Sequence, residues 1–156
     1  MEKLPFAEDL GHFWKTSKTS ADNWIDKTIG LIRAHGGKPL QSMTGQDMQS
    51  GKSTFLLAFQ FNGEVYKISW PVLPSREKDE KAAKTQAATL LYHTVKAKFL
   101  EAEILGMRTA FLPFLALPDG RTAAQMETPE ILSLFSLSTP QLTAGEDVDG
   151  EYREVE

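Results

Sequence analysis

Apolar residues recur in this chain with two periods, and each change of period marks an element. Trp24, Ile25, Ile29, Leu31 and Ile32 fall at helical spacing behind Ser20-Ala21-Asp22, which offers N-caps. Gly36-Gly37 and Pro39 close that helix. Leu40 to about Met48 is a weak strand, and Ser50-Gly51, within residues 49–52, reads as a turn. Thr54 to Phe61, TFLLAFQF, is a strong strand, rich in aromatic residues. Asn62-Gly63 follows, the strongest short hairpin signal, because both turn positions take positive φ. Glu64 to Val72 is the return strand.

A two-residue loop fixes the hairpin register. Phe61 pairs with Glu64, Phe59 with Tyr66, Leu57 with Ile68 and Phe55 with Trp70. Opposed residues share a face. One face is therefore Phe55, Leu57, Phe59, Phe61, Tyr66, Ile68 and Trp70, and it needs a cover of helices. The other carries Leu56, Ala58, Gln60, Val65, Lys67 and Ser69 and is mixed. A one-residue slip would bury Lys67 and expose the aromatic residues, so the register is well specified.

Pro71 and Pro74 end the strand, Ser75 is the expected cap of a long helix, and Gly106 is its stop. The helix runs from about Arg76 to Leu105, a rod of roughly 45 Å, longer than a small sheet needs. Its expected apolar face is Ala83, Ala87, Leu90, Leu91, Val95, Phe99, Ala102 and Leu105. Next, Phe111, Leu112, Phe114, Leu115 and Leu117 are strongly apolar, and Pro113 excludes a central strand or a helix interior. Pro118-Asp119-Gly120 is a turn, residues 122–126 read as a short helix, and residues 130–137, behind Thr128-Pro129, as another. Upstream, Phe6, Leu10, Phe13 and Trp14 suit a short helix docking on the body.

The fold class expected is α+β: a helix, a three-stranded antiparallel meander, a long helix, then a short helical extension. Residues 1–19 form a lead-in, 20–137 one domain, and 138–156 an acidic tail. That tail has too few apolar residues to offset its ordering entropy and is expected to be disordered.

The net charge of −4 belongs to that end of the chain. Residues 141–156 hold six acids (Glu146, Asp147, Asp149, Glu151, Glu154, Glu156) and one base (Arg153), a net of −5, which leaves +1 on the first 140 residues. Such a tail serves solubility, or covers a basic surface in competition with polyanions. With no cysteine, a disulfide scaffold, a thiol nucleophile and cysteine-ligated zinc are excluded. No apolar run reaches membrane-span length, and the first residues lack the pattern of a secretory signal, so a cytoplasmic location is expected.

Catalytic patterns are not found. His12, His35 and His93 lack metal-ligand spacing, so no metal or other cofactor is expected. Gly45 to Ser53, GQDMQSGKS, has one residue too many between its glycines for a phosphate-binding loop, and a strand rather than a helix follows Lys52-Ser53. No G-x-S-x-G occurs. Glu64 and Lys67 stand one residue too far apart for a nuclease Glu-x-Lys, on opposite strand faces. The chain therefore reads as non-enzymatic.

The suggestive pattern lies on the long helix. Lys81, Lys84, Tyr92 and Lys96 keep to one face, with Arg76 and Lys78 before them, although Glu77, Asp79 and Glu80 interleave. A lysine row beside helical N–H groups suits phosphate oxygens.

The residues Phe55-Leu-Leu-Ala-Phe-Gln-Phe61-Asn62-Gly63 and Glu80-Lys81-Ala82-Ala83-Lys84-Thr85-Gln86-Ala87-Ala88 resemble the second strand and the last-helix opening, Lys-Lys-x-Ala-Lys-x-x-Ala-Ala, of the double-stranded RNA-binding domain. The resemblance spans about residues 22 to 91, with Glu80 in place of the first lysine. It implies phosphate contacts at Lys81 and Lys84 and minor-groove contacts at the Gly51-Lys52 loop. The family's Gly-Pro-x-His loop signature is absent, and the last helix is longer than the family's. Separately, the segment from Lys96 to Thr122 resembles stretches of small uncharacterised proteins of phages and mobile elements. The function expected is nucleic-acid binding through Lys52, Arg76, Lys78, Lys81, Lys84 and Lys96. The alternative is a protein-interaction or homodimerising module that uses the long helix, whose second half needs a cover.

Overall fold

The computed structural model describes residues 3–46 and 51–126. The chain divides into two units, Met1–Ala124 and Gln125–Glu156, and the first contains every element that follows except the last residue of its final turn. The expected helix at 130–137 and the acidic tail lie outside the described residues, as does Ser50 of the expected turn.

The fold is α+β. It runs α1 (Ala7–Leu10), α2 (Ala21–Ala34), β1 (Lys38–Gln46), β2 (Ser53–Phe61), β3 (Glu64–Pro71), α3 (Glu80–Leu105) and α4 (Met107–Ala110), then 3-10 turns at Leu112–Phe114 and Ala123–Gln125. The last of these stands where a short helix over residues 122–126 was expected. The sheet is antiparallel in the order β1-β2-β3. Among the described residues no helix is long and apolar enough to cross a membrane.

Local chemistry explains the boundaries. The Ser20 hydroxyl accepts the Asn23 N–H at 3.2 Å and starts α2. At the other end the Gly37 N–H donates to the Ile32 carbonyl at 2.8 Å, and a Cβ at Gly37 would meet Ile32 Cγ2 at 2.7 Å, so only glycine fits. β1 starts at Lys38, earlier than its weak pattern suggests, and bulges between Pro39 and Gln41. β2 and β3 adopt the expected register, from Phe61↔Glu64 to Phe55↔Trp70. Asn62 and Gly63 both take positive φ at the turn, 49° and 79°.

The buried sheet face is the one expected. Phe55, Leu57, Phe59, Tyr66 and Ile68 join Ile32 of α2 and Ala83, Ala87, Ala88, Leu91, Val95 and Phe99 of α3 in one core. Phe61 and Trp70, at the two ends of that face, stay partly exposed. Trp70→Ala therefore falls short of the roughly 3–5 kcal/mol that a fully buried aromatic residue would cost. Phe111, past α4, completes the core. Its ring meets Phe59 edge-on at 5.6 Å and Phe99 at 5.0 Å. Beyond it the Ala116 N–H donates to the Val65 carbonyl at 2.8 Å, and the chain turns at Gly120, inside the expected Pro118-Asp119-Gly120 turn.

α3 departs from expectation at both ends. It begins at Glu80 and is capped by Asp79, whose carboxylate accepts the Ala82 N–H at 3.1 Å. Ser75 does not cap it, because the Arg76 and Glu77 N–H groups bond to Glu8 and Lys78 takes φ 57°, which keeps the residues after Ser75 out of the helix; its hydroxyl donates to Glu8 and accepts the Asp79 N–H. At the far end Leu105 is 55% exposed rather than buried, because Gly106 at φ 90° turns the chain away there. Leu90 is only partly buried.

The lead-in docks on the start of α3, as its apolar residues suggested, but only four of its residues are helical. The Ala7 N–H donates to the Pro74 carbonyl at 2.8 Å. Gln86, fully buried on α3, donates from Nε2 to the carbonyls of Ala7 and His12, each at 3.0 Å. Phe13 and Lys15 take left-handed φ of 58° and 53°, a strained choice for non-glycine residues, and Phe13 lies flat on His93 at 4.9 Å.

Candidate functional site

The strand ends and the helix start gather most of the singled-out bases at one end of the molecule. β1 and β2 meet through Thr44↔Phe55 and Gln46↔Ser53, just past Lys52. The Val72 N–H donates to the Ser53 carbonyl at 3.0 Å, so β3 ends at the same place and leads through residues 73–79 into α3. Lys52, Arg76, Lys78, Lys81 and Lys84 all belong to this end. Lys96 does not. It lies roughly 18 Å beyond Lys84 at 1.5 Å per helical residue.

Within this end an open groove of about 580 Å³ separates α3 from the start of α2. Lys81, Lys84 and Thr85 line one wall, Ser20, Ala21 and Asp22 the other, and Thr44 and Phe55 the floor. Lys81 is exposed, Lys84 half-buried, and neither ammonium forms an ion pair among the described residues. The first turn of α2 adds the positive end of a 14-residue helix to the same space. Asp22 and Glu80 bring negative charge to its edge. A smaller cavity of about 280 Å³ continues along α2 past Asp26, Ser42 and Leu91.

Two of the three acids interleaved with the lysines, Glu77 and Asp79, have partners elsewhere. Lys15, from the lead-in, donates to Glu77 at 2.7 Å and lies 3.5 Å from Asp79. The Glu77 hydrogen bond holds the Lys15 ammonium above its ordinary pKa against a smaller opposing effect of desolvation, with the two carboxylate charges adding to the rise. Asp79 is also the α3 cap. Arg76 is engaged as well: it pairs with Asp9 at 2.6 Å and its guanidinium lies 4.6 Å from the Phe6 ring centre. Lys78, at φ 57°, is exposed in the turn before the helix.

Glu8 organises that turn. Desolvation alone would raise its carboxyl pKa, but hydrogen bonds from the Ser75 hydroxyl and from backbone N–H groups, those of Arg76 and Glu77 included, outweigh it and hold the group at about 2.

The structure thus brings Lys81 and Lys84 together on one groove, places Lys52 and Lys78 at the same end, turns Arg76 toward the lead-in and sets Lys96 apart. Sequence reasoning missed Ser20, Thr44 and Thr85 as neighbours of these lysines, and Lys15 as the partner of Glu77 and Asp79. Ser20 was visible as a helix cap, but its place across the groove is a product of tertiary packing.

Two of the three histidines, His35 and His93, serve packing. His35 stacks on Phe99 at 4.3 Å, its Nδ1 2.8 Å from the Leu31 carbonyl oxygen. His93 lies against Phe13. Among the described residues no group of three or more His, Asp or Glu side chains could hold a metal ion. Lys52-Ser53 leads into a strand, so the phosphate-binding-loop arrangement is absent there.

No protein-family model, no curated protein and no solved structure matches the chain.

Proposed function

We propose that the protein binds nucleic acid without chemistry of its own, gripping phosphate oxygens with Lys81 and Lys84. The observation that carries the reading is the pair of lysines on one groove, without ion-pair partners among the described residues, opposite a helix N-terminus. Point charges and oriented N–H groups suit a phosphate chain, and an open groove admits a long ligand better than a small molecule. Lys52 and Lys78 extend the contact along the same end of the molecule, and Glu77 and Asp79 pair with Lys15 rather than with the groove lysines. The resemblance of Phe55 to Gly63 and of Glu80 to Ala88 to the double-stranded RNA-binding domain makes duplex RNA the first ligand to try. The cytoplasmic location expected from the sequence belongs to the same reading.

The test is fluorescence anisotropy of the full chain with labelled duplex RNA, duplex DNA and single strands at two salt concentrations. Binding should weaken as salt rises, because each neutralised phosphate releases counterions. The double substitution Lys81→Glu with Lys84→Glu should abolish binding and leave the melting temperature almost unchanged. Retained affinity in that variant, or no binding of any ligand by the native chain, would overturn the reading.

A further inference from the structure

One stripe of α3 changes character halfway along the helix. Gln86, His93, Ala97, Leu100 and Ile104 recur at intervals of seven, four, three and four residues and share a face. The lead-in covers the first part, with Gln86 bonded to Ala7 and His12 and with Phe13 on His93. From Ala97 onward no described residue covers the stripe. Leu100 is 64% exposed and Ile104 80% exposed, two branched apolar side chains one helical turn apart. Most of the large apolar residues among those described are buried or partly buried in the core, so this pair needs a reason.

The charges beside the stripe say what fits it. Lys96 and Glu103 stand seven residues apart, on the same flank. On the opposite flank Glu101 already holds Lys98, at 3.4 Å. Lys96 has no ion-pair partner among the described residues, and Glu103 only approaches His35 Nε2, at 3.9 Å. When two identical helices pair antiparallel, like flanks meet, and a pairing centred between Phe99 and Leu100 sets Lys96 of each copy against Glu103 of the other. The flank is therefore complementary to itself, and only a second copy of this chain matches it on both sides of a two-fold axis.

The geometry points to a homodimer in which two α3 helices pair antiparallel through Ala97, Leu100 and Ile104, with reciprocal Lys96–Glu103 ion pairs. The partner helix ends at Leu105, so it lies alongside the uncovered stretch and stops short of the lead-in. The patch is small beside the roughly 800 Å² per partner of a standard interface, so the dimer is reversible rather than obligate. Lys96, distant from the groove, then acts in association and not in phosphate contact.

Sedimentation velocity of the full chain from about 1 to about 500 µM tests this without any nucleic acid, a range that reports reversible association. The mass should rise from 17.4 kDa toward twice that value. A monomer throughout overturns the proposal. Lys96→Glu alone and Glu103→Lys alone should each be monomeric, because each sets like charges against each other. An equimolar mixture of the two variants should form a heterodimer, since both contacts are then opposite in sign. A mixture that stays monomeric, or single variants that self-associate like the native chain, overturns the antiparallel pairing. Ile104→Glu should abolish association with an unchanged melting temperature, and association retained in that variant overturns the stripe as the contact.

Discussion

The two halves of α3 have similar composition but unlike surroundings. In the first half even polar side chains are buried: Gln86 and Thr89 are as inaccessible as Leu91, because the lead-in and α2 close over them. In the second half adjacent residues diverge, with Phe99 at 1% exposure and Leu100 at 64%. Helical spacing decides which residues share a face, but the chain that comes to lie on each face decides which are buried. The first half is hemmed in by segments distant in sequence, whereas the second half meets the core along one side only.

The sharpest way to break this comparison is at Phe99. Its ring touches Phe59, Phe111 and His35, and Phe99→Ala should cost roughly 3–5 kcal/mol in urea unfolding. Gln86→Ala comes next. It removes the Gln86 donor from the Ala7 and His12 carbonyls, the first of which keeps the Gly11 N–H at 3.3 Å, a loss of roughly 1–3 kcal/mol in the same measurement. The removed Oε1 has no partner among the described residues, so nothing is lost on that side.

A third effect is read as pH dependence. The Glu8 carboxyl is depressed from 4.5 to about 2 in the folded chain. Its contribution is therefore complete above pH 4.5 and disappears as pH falls from there through about 2. In Glu8→Gln this part of the acid-induced loss of stability should vanish, so native and variant stabilities converge at low pH; parallel curves would contradict the assignment. Smallest of all, Leu100→Ala, the counterpart of the Phe99 change, should shift monomer stability by less than about 0.5 kcal/mol.

The parts legible in the sequence were those that local chemistry specifies. Asn62-Gly63 dictates the hairpin register through its own backbone preferences, and the buried face of β2 and β3 follows from it. On α3, spacing picked out Ala83, Ala87, Leu91, Val95 and Phe99, but it included the half-buried Leu90 and omitted the buried Gln86, Ala88 and Thr89. What escaped depends on contacts across long stretches of chain. Ser75 and Asp79 can both cap a helix, and Asp79 does so because Glu8, from the lead-in, takes the Arg76 and Glu77 N–H groups that a helix capped by Ser75 would present. Leu105 fits the apolar spacing, but the turn at Gly106 leaves it 55% exposed. Phe111 was visible only as one of an apolar run, yet it packs at the centre of the aromatic cluster. For the site, the lysine row could be read, whereas its opposite wall at Ser20–Asp22 could not.

The clasp between the lead-in and α3 has a kinetic consequence. Its bonds join residues 62 to 79 positions apart: Lys15 to Glu77, Glu8 to Ser75, Arg76 and Glu77, and Gln86 to Ala7 and His12. Closing so long a loop costs chain entropy before any of these bonds repays it, and α3 must already be in place to receive them. The lead-in is thus expected to dock after α3 has formed and to open locally without unfolding of the sheet. The amide protons of Ala7, Arg76 and Glu77 then exchange with solvent through a local opening, while those of β2 exchange only when the whole domain unfolds.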